Sequence, residues 1–314
     1  MKKLLIVHQG ALGDMVLTFP AIIRLRKAFG RIDLLCQSQL GKAARALGIA
    51  DNAFPLESAL FSSLWSDAPA PKAKQILGAY DEILLFSFSE QLEQAVGRIT
   101  GGTPCRISPR PDVGEAIHVA EHILAGLETR GLLDGNQDPA IPVHGGRPRA
   151  EHDPANILIH PGSGSGRKNW PFRNFIEAER LFMADGMRPE FVIGPAEDFL
   201  ESLLKEGRDR IVHRISDLTE MIALFENAGG FVGNDSGLTH LAAFTGLPTV
   251  AVFGPSDPRR WRPVEKSVAV LAFPVSDCHP CFETGGKNCG NPECLKRTSP
   301  EMLIRAFRSL MIGA

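Results

Sequence analysis

Residues 230–253 read GFVGNDSGLTHLAAFTGLPTVAVF, and this stretch decides the fold. Gly230–Val232 and Thr249–Phe253 are short apolar runs that read as strands, and Gly237–Thr245 between them reads as a helix. Strand, helix and strand in so few residues form a parallel crossover unit. The alternation continues upstream, with strands over Asn156–His160 and Glu190–Ile193. A helix is expected over Asp217–Ala228, opened by Asp217 with Glu220 three residues on, the spacing of a capping box.

The first half repeats the pattern. Leu4–Val7, Ile32–Cys36 and Glu82–Phe86 read as buried strands. Val16–Phe29 carries Leu17, Ala21, Ile22, Leu25 and Phe29 at helical spacing before Gly30, and Ala116–Leu133 reads as a long helix. Between Gly135 and Pro154 (GNQDPAIPVHGGRPRAEHDP) the periodicity lapses into Gly, Pro and charge, the mark of a linker. A chain of 314 residues is long for one core, so two domains are expected, 1–150 and 151–314. Alternating strands and helices in each make them α/β and Rossmann-like, with parallel sheets covered on both faces. Ligands of such sheets bind beyond the carboxyl ends of the strands, and the cleft between two such domains is the default site.

The composition excludes several classes. A formal net charge of −2 gives no basic excess for general nucleic-acid binding. No apolar run approaches the roughly 20 residues of a membrane span. Lys2 and Lys3 before Leu4–Val7 look superficially like a signal peptide, but charge returns at Asp14, so a buried strand and a cytoplasmic protein are expected. The first loop lacks GxGxxG, which disfavours a dehydrogenase.

Three loops that follow strands carry the chemistry. In His8-Gln9-Gly10-Ala11-Leu12-Gly13-Asp14 the glycines allow a tight turn and close approach, and Asp14 is placed either to cap the helix or to face a ligand. In His160-Pro161-Gly162-Ser163-Gly164-Ser165-Gly166-Arg167-Lys168-Asn169-Trp170-Pro171, small residues offer backbone amides to an anion beside a basic pair; the plain alternative is a glycine-rich turn. In Gly233-Asn234-Asp235-Ser236-Gly237-Leu238-Thr239-His240, Ser236 and Gly237 open a helix whose first amides suit a pyrophosphate, while Asp235 suits sugar hydroxyls. Here the plain alternative is that Asp235 or Ser236 is only the N-cap and His240 only lies on the helix face.

Together these stretches resemble the heptosyltransferase family of inverting glycosyltransferases. The resemblance rests on GALGDMVLTFPAIIRLRKAF, HPGSGSGRKNWP, GNDSGLTHLAAFTGLPTVAVFGPSDPRRWRP and the tail CHPCF…C…CL followed by SPEMLIRAF. It implies a GT-B fold, an acceptor held mainly by the N-terminal domain at Gly10 and Gly13, and Asp14 as general base. It implies a donor, ADP-heptose, held by Ser163, Gly164, Ser165, Lys168, Asp235, Ser236, Gly237 and His240, with Glu197 contacting the nucleoside. Members often carry Arg and an apolar residue where His8 and Gln9 stand, which bears on acceptor identity. The acceptor implied is a lipid-linked oligosaccharide of the lipopolysaccharide inner core, met at the inner face of the inner membrane. Peripheral contact through Arg24, Arg26 and Lys27 is one expectation for that encounter. No DxD-like motif sits in a suitable loop, so no obligatory metal and no magnesium requirement is expected. Another nucleotide-sugar donor, or a non-catalytic nucleotide-binding protein, remains the alternative.

Two further features stand apart. Cys278, Cys281, Cys289 and Cys294, with His279 among them, have a spacing that a structural zinc, free thiols or an adventitious disulfide would suit. Trp261 with Arg259, Arg260 and Arg262 suits either a ligand or surface packing. Pro300, Met302, Leu303, Ala306, Phe307 and Leu310 predict a terminal helix that packs in the core, with packing back on the first domain added by the resemblance.

Overall fold

The computed structural model describes residues 1–66, 68–134, 152–206, 209–273, 278, 280–284, 289 and 292–312. The chain divides into two compact units, Met1–Pro111 with Val119–Pro142, and Asp112–His118 with Val143–Ala314. The expected boundary near residue 150 and most of the expected linker lie outside the described residues.

The first unit is built on five parallel strands, β1 (Lys3–His8), β2 (Arg31–Cys36), β3 (Asn52–Pro55), β4 (Glu82–Phe86) and β5 (Cys105–Ile107), in the order β3-β2-β1-β4-β5. Leu5 of β1 lies opposite Asp33 of β2 and Ile83 of β4. Leu4–Val7 are wholly buried, as expected of a central strand covered on both faces. The second unit has six parallel strands, β6 (Asp153–His160), β7 (Arg188–Ile193), β8 (Val212–Arg214), β9 (Ala228–Asn234), β10 (Thr249–Phe253) and β11 (Val268–Ala272), in the order β11-β10-β9-β6-β7-β8. In each sheet the strand order reverses once, between β1 and β4 and between β6 and β9. Those two switch points are where a doubly wound sheet opens a crevice for a ligand.

The expected α/β fold is therefore present, with corrections to its helices. The helix expected from Val16 begins at Leu12 and ends at Leu25, because Asp14 in its first turn accepts the Ala11 amide at 3.1 Å and so starts it early. The helix expected over Ala116–Leu133 runs only from Val119 to Thr129. The residues before it belong to the second unit: Arg260 Nη1 donates to the carbonyls of Asp112 (2.9 Å) and Glu115, and His118 Nε2 meets the Arg262 carbonyl at 2.9 Å. The terminal helix Pro300–Ile312 buries Leu303, Ile304 and Phe307 in the second unit's own core, where Phe307 meets Phe182 edge-on with centroids 5.2 Å apart.

Two of the three basic residues expected at a membrane surface have partners within the first unit. Arg24 is 6% exposed and faces Glu128 at 3.9 Å, Arg26 bonds Asp51 and the Ile49 carbonyl, and Lys27 is exposed. No helix among the described residues is long and apolar enough to cross a membrane.

Candidate functional site

In the second unit the loops after β6 and β9 meet at the switch point, and Asn234 joins them. This residue ends β9 and is wholly buried. Its Nδ2 donates to the carbonyls of Pro161 (2.9 Å) and Gly162 (3.1 Å), and its Oδ1 accepts the Trp170 amide at 2.8 Å. Trp170 in turn donates from its indole to the Thr298 carbonyl at 3.0 Å and packs edge-on against Phe175. Both ends of the glycine-rich loop are thus pinned to the core, while its middle is free to meet a ligand.

Within that loop the serines serve the backbone. Ser163 Oγ lies 2.6 Å from Asn169 Oδ1 and 2.7 Å from the Ser165 carbonyl, and Ser165 Oγ caps the short 3-10 turn Gly166–Lys168 by accepting the Arg167 amide. The amides of Gly164 and Gly166 make no hydrogen bond among the described residues, and a Cβ on either would meet open space. They are the donors that an anion could reach.

Lys168 emerges from this turn and meets Asp235, Nζ to Oδ2, at 2.9 Å, with its ammonium 4.3 Å from the Phe282 ring centroid. Asp235 is 4% exposed. Burial pushes its carboxyl up, but the nearby His240 ring and the charge of Lys168 outweigh this and hold it at about 2. His240 Nε2 stands 3.8 Å from Asp235 Oδ1. An ammonium has three donors, so pairing with Asp235 leaves Lys168 able to hold a phosphate as well. Ser236 is the N-cap of the helix Gly237–Phe244, its Oγ accepting the Thr239 amide at 3.3 Å, while Thr239 Oγ1 donates to the Asn234 carbonyl at 2.5 Å. The first-turn amides at Gly237 and Leu238 have no partner within the helix.

Glu197 lies against Gly162 at the start of the loop. It accepts the Gly194 amide at 2.9 Å, and His160 Nε2 lies 3.8 Å away. Burial raises its carboxyl, yet the His160 interaction and the Gly194 bond hold it below the ordinary range. Gly162 lies so close that a Cβ there would collide with the carboxylate.

In the first unit a cavity of about 430 Å³ opens at the β1/β4 switch point, lined by Gln9, Gly10, Asp14, Ser87, Ser89 and Arg110 among others. Asp14 both caps its helix and faces this cavity, so the two readings of it coexist. Ser87 Oγ donates to Gln9 Oε1, and the Arg110 guanidinium lies 5.2 Å from the Phe88 ring centroid. Gly10 lines the cavity and leaves room for its neighbours: a Cβ would stand 2.7 Å from Asp14 Cβ and 2.8 Å from His8 Cε1. Gly13 lies in the first turn of the helix and does not line the cavity.

Cys278, Cys281, Cys289 and Cys294 line one cavity of about 350 Å³ beside Arg167, whose Nη2 lies 3.6 Å from Cys281 Sγ, and none of the four forms a disulfide. No group of three or more His, Cys, Asp or Glu side chains among the described residues is arranged to hold a metal, and His279 lies outside them. Arg259 pairs with Asp257, while Arg260 and Trp261 both donate to Glu283. The sequence reading missed Asn234, Thr239 and His160. Asn234 stands in the quoted GNDSG stretch, but its work is to hold a loop some 70 residues away, and no local pattern signals that.

Residues 111–289, more than half of the chain, match the model of glycosyltransferase family 9 (heptosyltransferase). The chain belongs to this family. Among curated proteins, lipooligosaccharide heptosyltransferase 2 of Haemophilus influenzae is 25% identical over 54% of this chain and 47% of its own length. Lipopolysaccharide heptosyltransferase 1 of Salmonella typhimurium is 24% identical over 82% of this chain and 89% of its own length. The chain thus spans about half the length of the first of these relatives. A solved family 9 glycosyl transferase from Veillonella parvula superposes with a TM-score of 0.77 at 20% identity, covering 100% of this chain and 98% of that one. E. coli heptosyltransferase WaaC with ADP gives 0.71 at 19% identity, covering 98% and 99%. These likenesses show the GT-B fold.

Proposed function

We propose that this family 9 protein is an inverting glycosyltransferase that moves a heptose from ADP-heptose to the lipopolysaccharide inner core. The observation that carries the donor half is the anion-receiving surface of the second unit. There the free amides of Gly164 and Gly166, the Lys168 ammonium and the first turn of Gly237–Phe244 gather at one switch point. The names of the relatives, and the ADP held by one solved neighbour, support heptose and adenine as the specific chemistry.

The acceptor hydroxyl attacks the anomeric carbon as ADP leaves, and Asp14 takes its proton. A well-placed base contributes about 10²–10⁴-fold. The departing pyrophosphate gains charge as its bond breaks, so Lys168 and the loop amides bind the transition state more tightly than the ground state. Asp235, held ionised, accepts from sugar hydroxyls; His240 keeps it oriented. Displacement from one face inverts the anomeric centre. Lys168 and the helix N-terminus supply the stabilising charge, so magnesium is not required. Glu197 contacts the nucleoside at the carboxyl end of β7. The acceptor is a lipid-linked oligosaccharide met at the cytoplasmic face of the inner membrane.

A thermal-shift panel of ADP, UDP, GDP and CDP, with and without magnesium, tests this reading. A ligand at about 100 times its Kd adds about 2.7 kcal/mol. Selective stabilisation by ADP without magnesium is the expected result. Preference for another nucleotide would replace the donor, and no response to any of the four would favour a protein without this activity.

A further inference from the structure

Behind Asp14 lies a buried histidine that the proposed reaction does not use. His8 ends β1 and is wholly buried, as is Thr18 in the helix that follows. The Gly10 amide donates to His8 Nδ1 at 3.2 Å, which requires a lone pair there. A neutral ring therefore carries its proton on Nε2, and Nε2 lies 3.4 Å from Thr18 Oγ1. Thr18 Oγ1 donates onward to the Asp14 carbonyl at 2.9 Å. The chain of donors thus runs from Gly10 through the imidazole and Thr18 to the backbone of Asp14.

This chain holds both sides of the loop that presents Asp14. Gly10 is fixed at one end by Nδ1, and the first helical turn is fixed at the other through Thr18. The loop between is short, and Asp14 Oδ2 closes it by accepting the Ala11 amide at 3.1 Å. A protonated ring would set an N–H against the Gly10 N–H and break the first link. Burial keeps the ring neutral, lowering His8 to about 4, with the Asp14 backbone acting the other way. A lysine, an arginine or an aliphatic side chain here would offer Gly10 no acceptor.

We infer that His8 is a positioning residue that acts through Asp14, its neutral imidazole fixing where the carboxylate stands in the first unit's cavity. This rests on Asp14 as the base and adds the element that places it. A displacement of about 1 Å at such a group costs about 10²-fold.

The test is a double-mutant cycle in single-turnover and steady-state transfer from radiolabelled donor, with His8→Leu, Asp14→Asn and their combination. His8→Asn serves as the conservative variant, because its Oδ1 can take the Gly10 amide. His8→Leu should lower kcat about 10- to 100-fold with donor KM and ADP affinity within about twofold of wild type. His8→Asn should recover most of that loss, and Thr18→Val should lower kcat by about tenfold. In the Asp14→Asn background His8→Leu should cost almost nothing more, since both act through one carboxylate. Should His8→Leu fail to fold, Thr18→Val is carried through the same cycle with Asp14→Asn, with the same expectation of no added loss in the double variant. Losses that multiply in the double variant, or His8→Leu and Thr18→Val each within about threefold of wild-type kcat, would overturn the inference while leaving Asp14 as base. Wild-type turnover by Asp14→Asn would instead overturn the reading on which it rests.

Discussion

Replacing Asn234 by alanine removes three hydrogen bonds at once, from the Trp170 amide and to the Pro161 and Gly162 carbonyls. Each is worth about 1 kcal/mol net, and the groups left behind are themselves buried, so the loss is about 3–5 kcal/mol. For a unit of this size a kcal/mol moves Tm by about 2–4 °C, so the second unit's transition should fall by about 10 °C. The loop after β6 loses both anchors on this residue, so ADP affinity should fall with it, by about tenfold or more. Asn234→Asp keeps the acceptor for Trp170 but sets a carboxylate against two carbonyls, and it should be no better than alanine. Calorimetry and ADP titration read both effects. A Tm within about 2 °C of wild type together with unchanged ADP affinity would refute the claim that Asn234 assembles the donor loop.

Other expectations follow from the same geometry. Asp14→Asn should lower kcat by about 10²–10⁴-fold while ADP binding, a property of the second unit, stays within about twofold by titration. Gly162→Ala sets a methyl against the Glu197 carboxylate and should cost about 1–3 kcal/mol, read as a lower denaturant midpoint. His8 is held at about 4 against 6.5 when unfolded, so the unfolded chain binds the extra proton between those values. Its contribution is complete above about pH 6.5 and is lost as pH falls towards 4, a loss of about 3 kcal/mol. A His8→Asn variant should show a flatter stability profile across that window in denaturant titrations at stepped pH. An unchanged slope would mean that His8 is not held neutral.

The central strands were legible in the sequence because they are buried on both faces and so read as unbroken apolar runs. Leu4–Val7, Glu82–Phe86 and Thr249–Phe253 needed no context. The edge strands were not legible. Asn52–Pro55 and Val212–Arg214 are short, half-buried and carry polar residues, so their pairing comes from the sheet rather than from local pattern. The helix before Leu133 was read too long because Asp112 and Glu115 give their carbonyls to Arg260 and His118 meets the Arg262 carbonyl, partners over 140 residues away. At the site, the loops were recognisable by glycine and charge. What those loops do to each other was hidden: that Lys168 faces Asp235, that Ser236 is taken up in capping, and that Asn234 binds two loops together.

Transfer itself tests the central claim most directly. Purified protein is given ADP-heptose and a lipid-linked inner-core acceptor lacking its heptose, without divalent metal, and both ADP and the acceptor's mass are followed. ADP release should be matched one-to-one by acceptor carrying a single heptose of inverted anomeric configuration. Turnover of a different nucleotide-sugar in place of ADP-heptose, or a product of retained configuration, would contradict it.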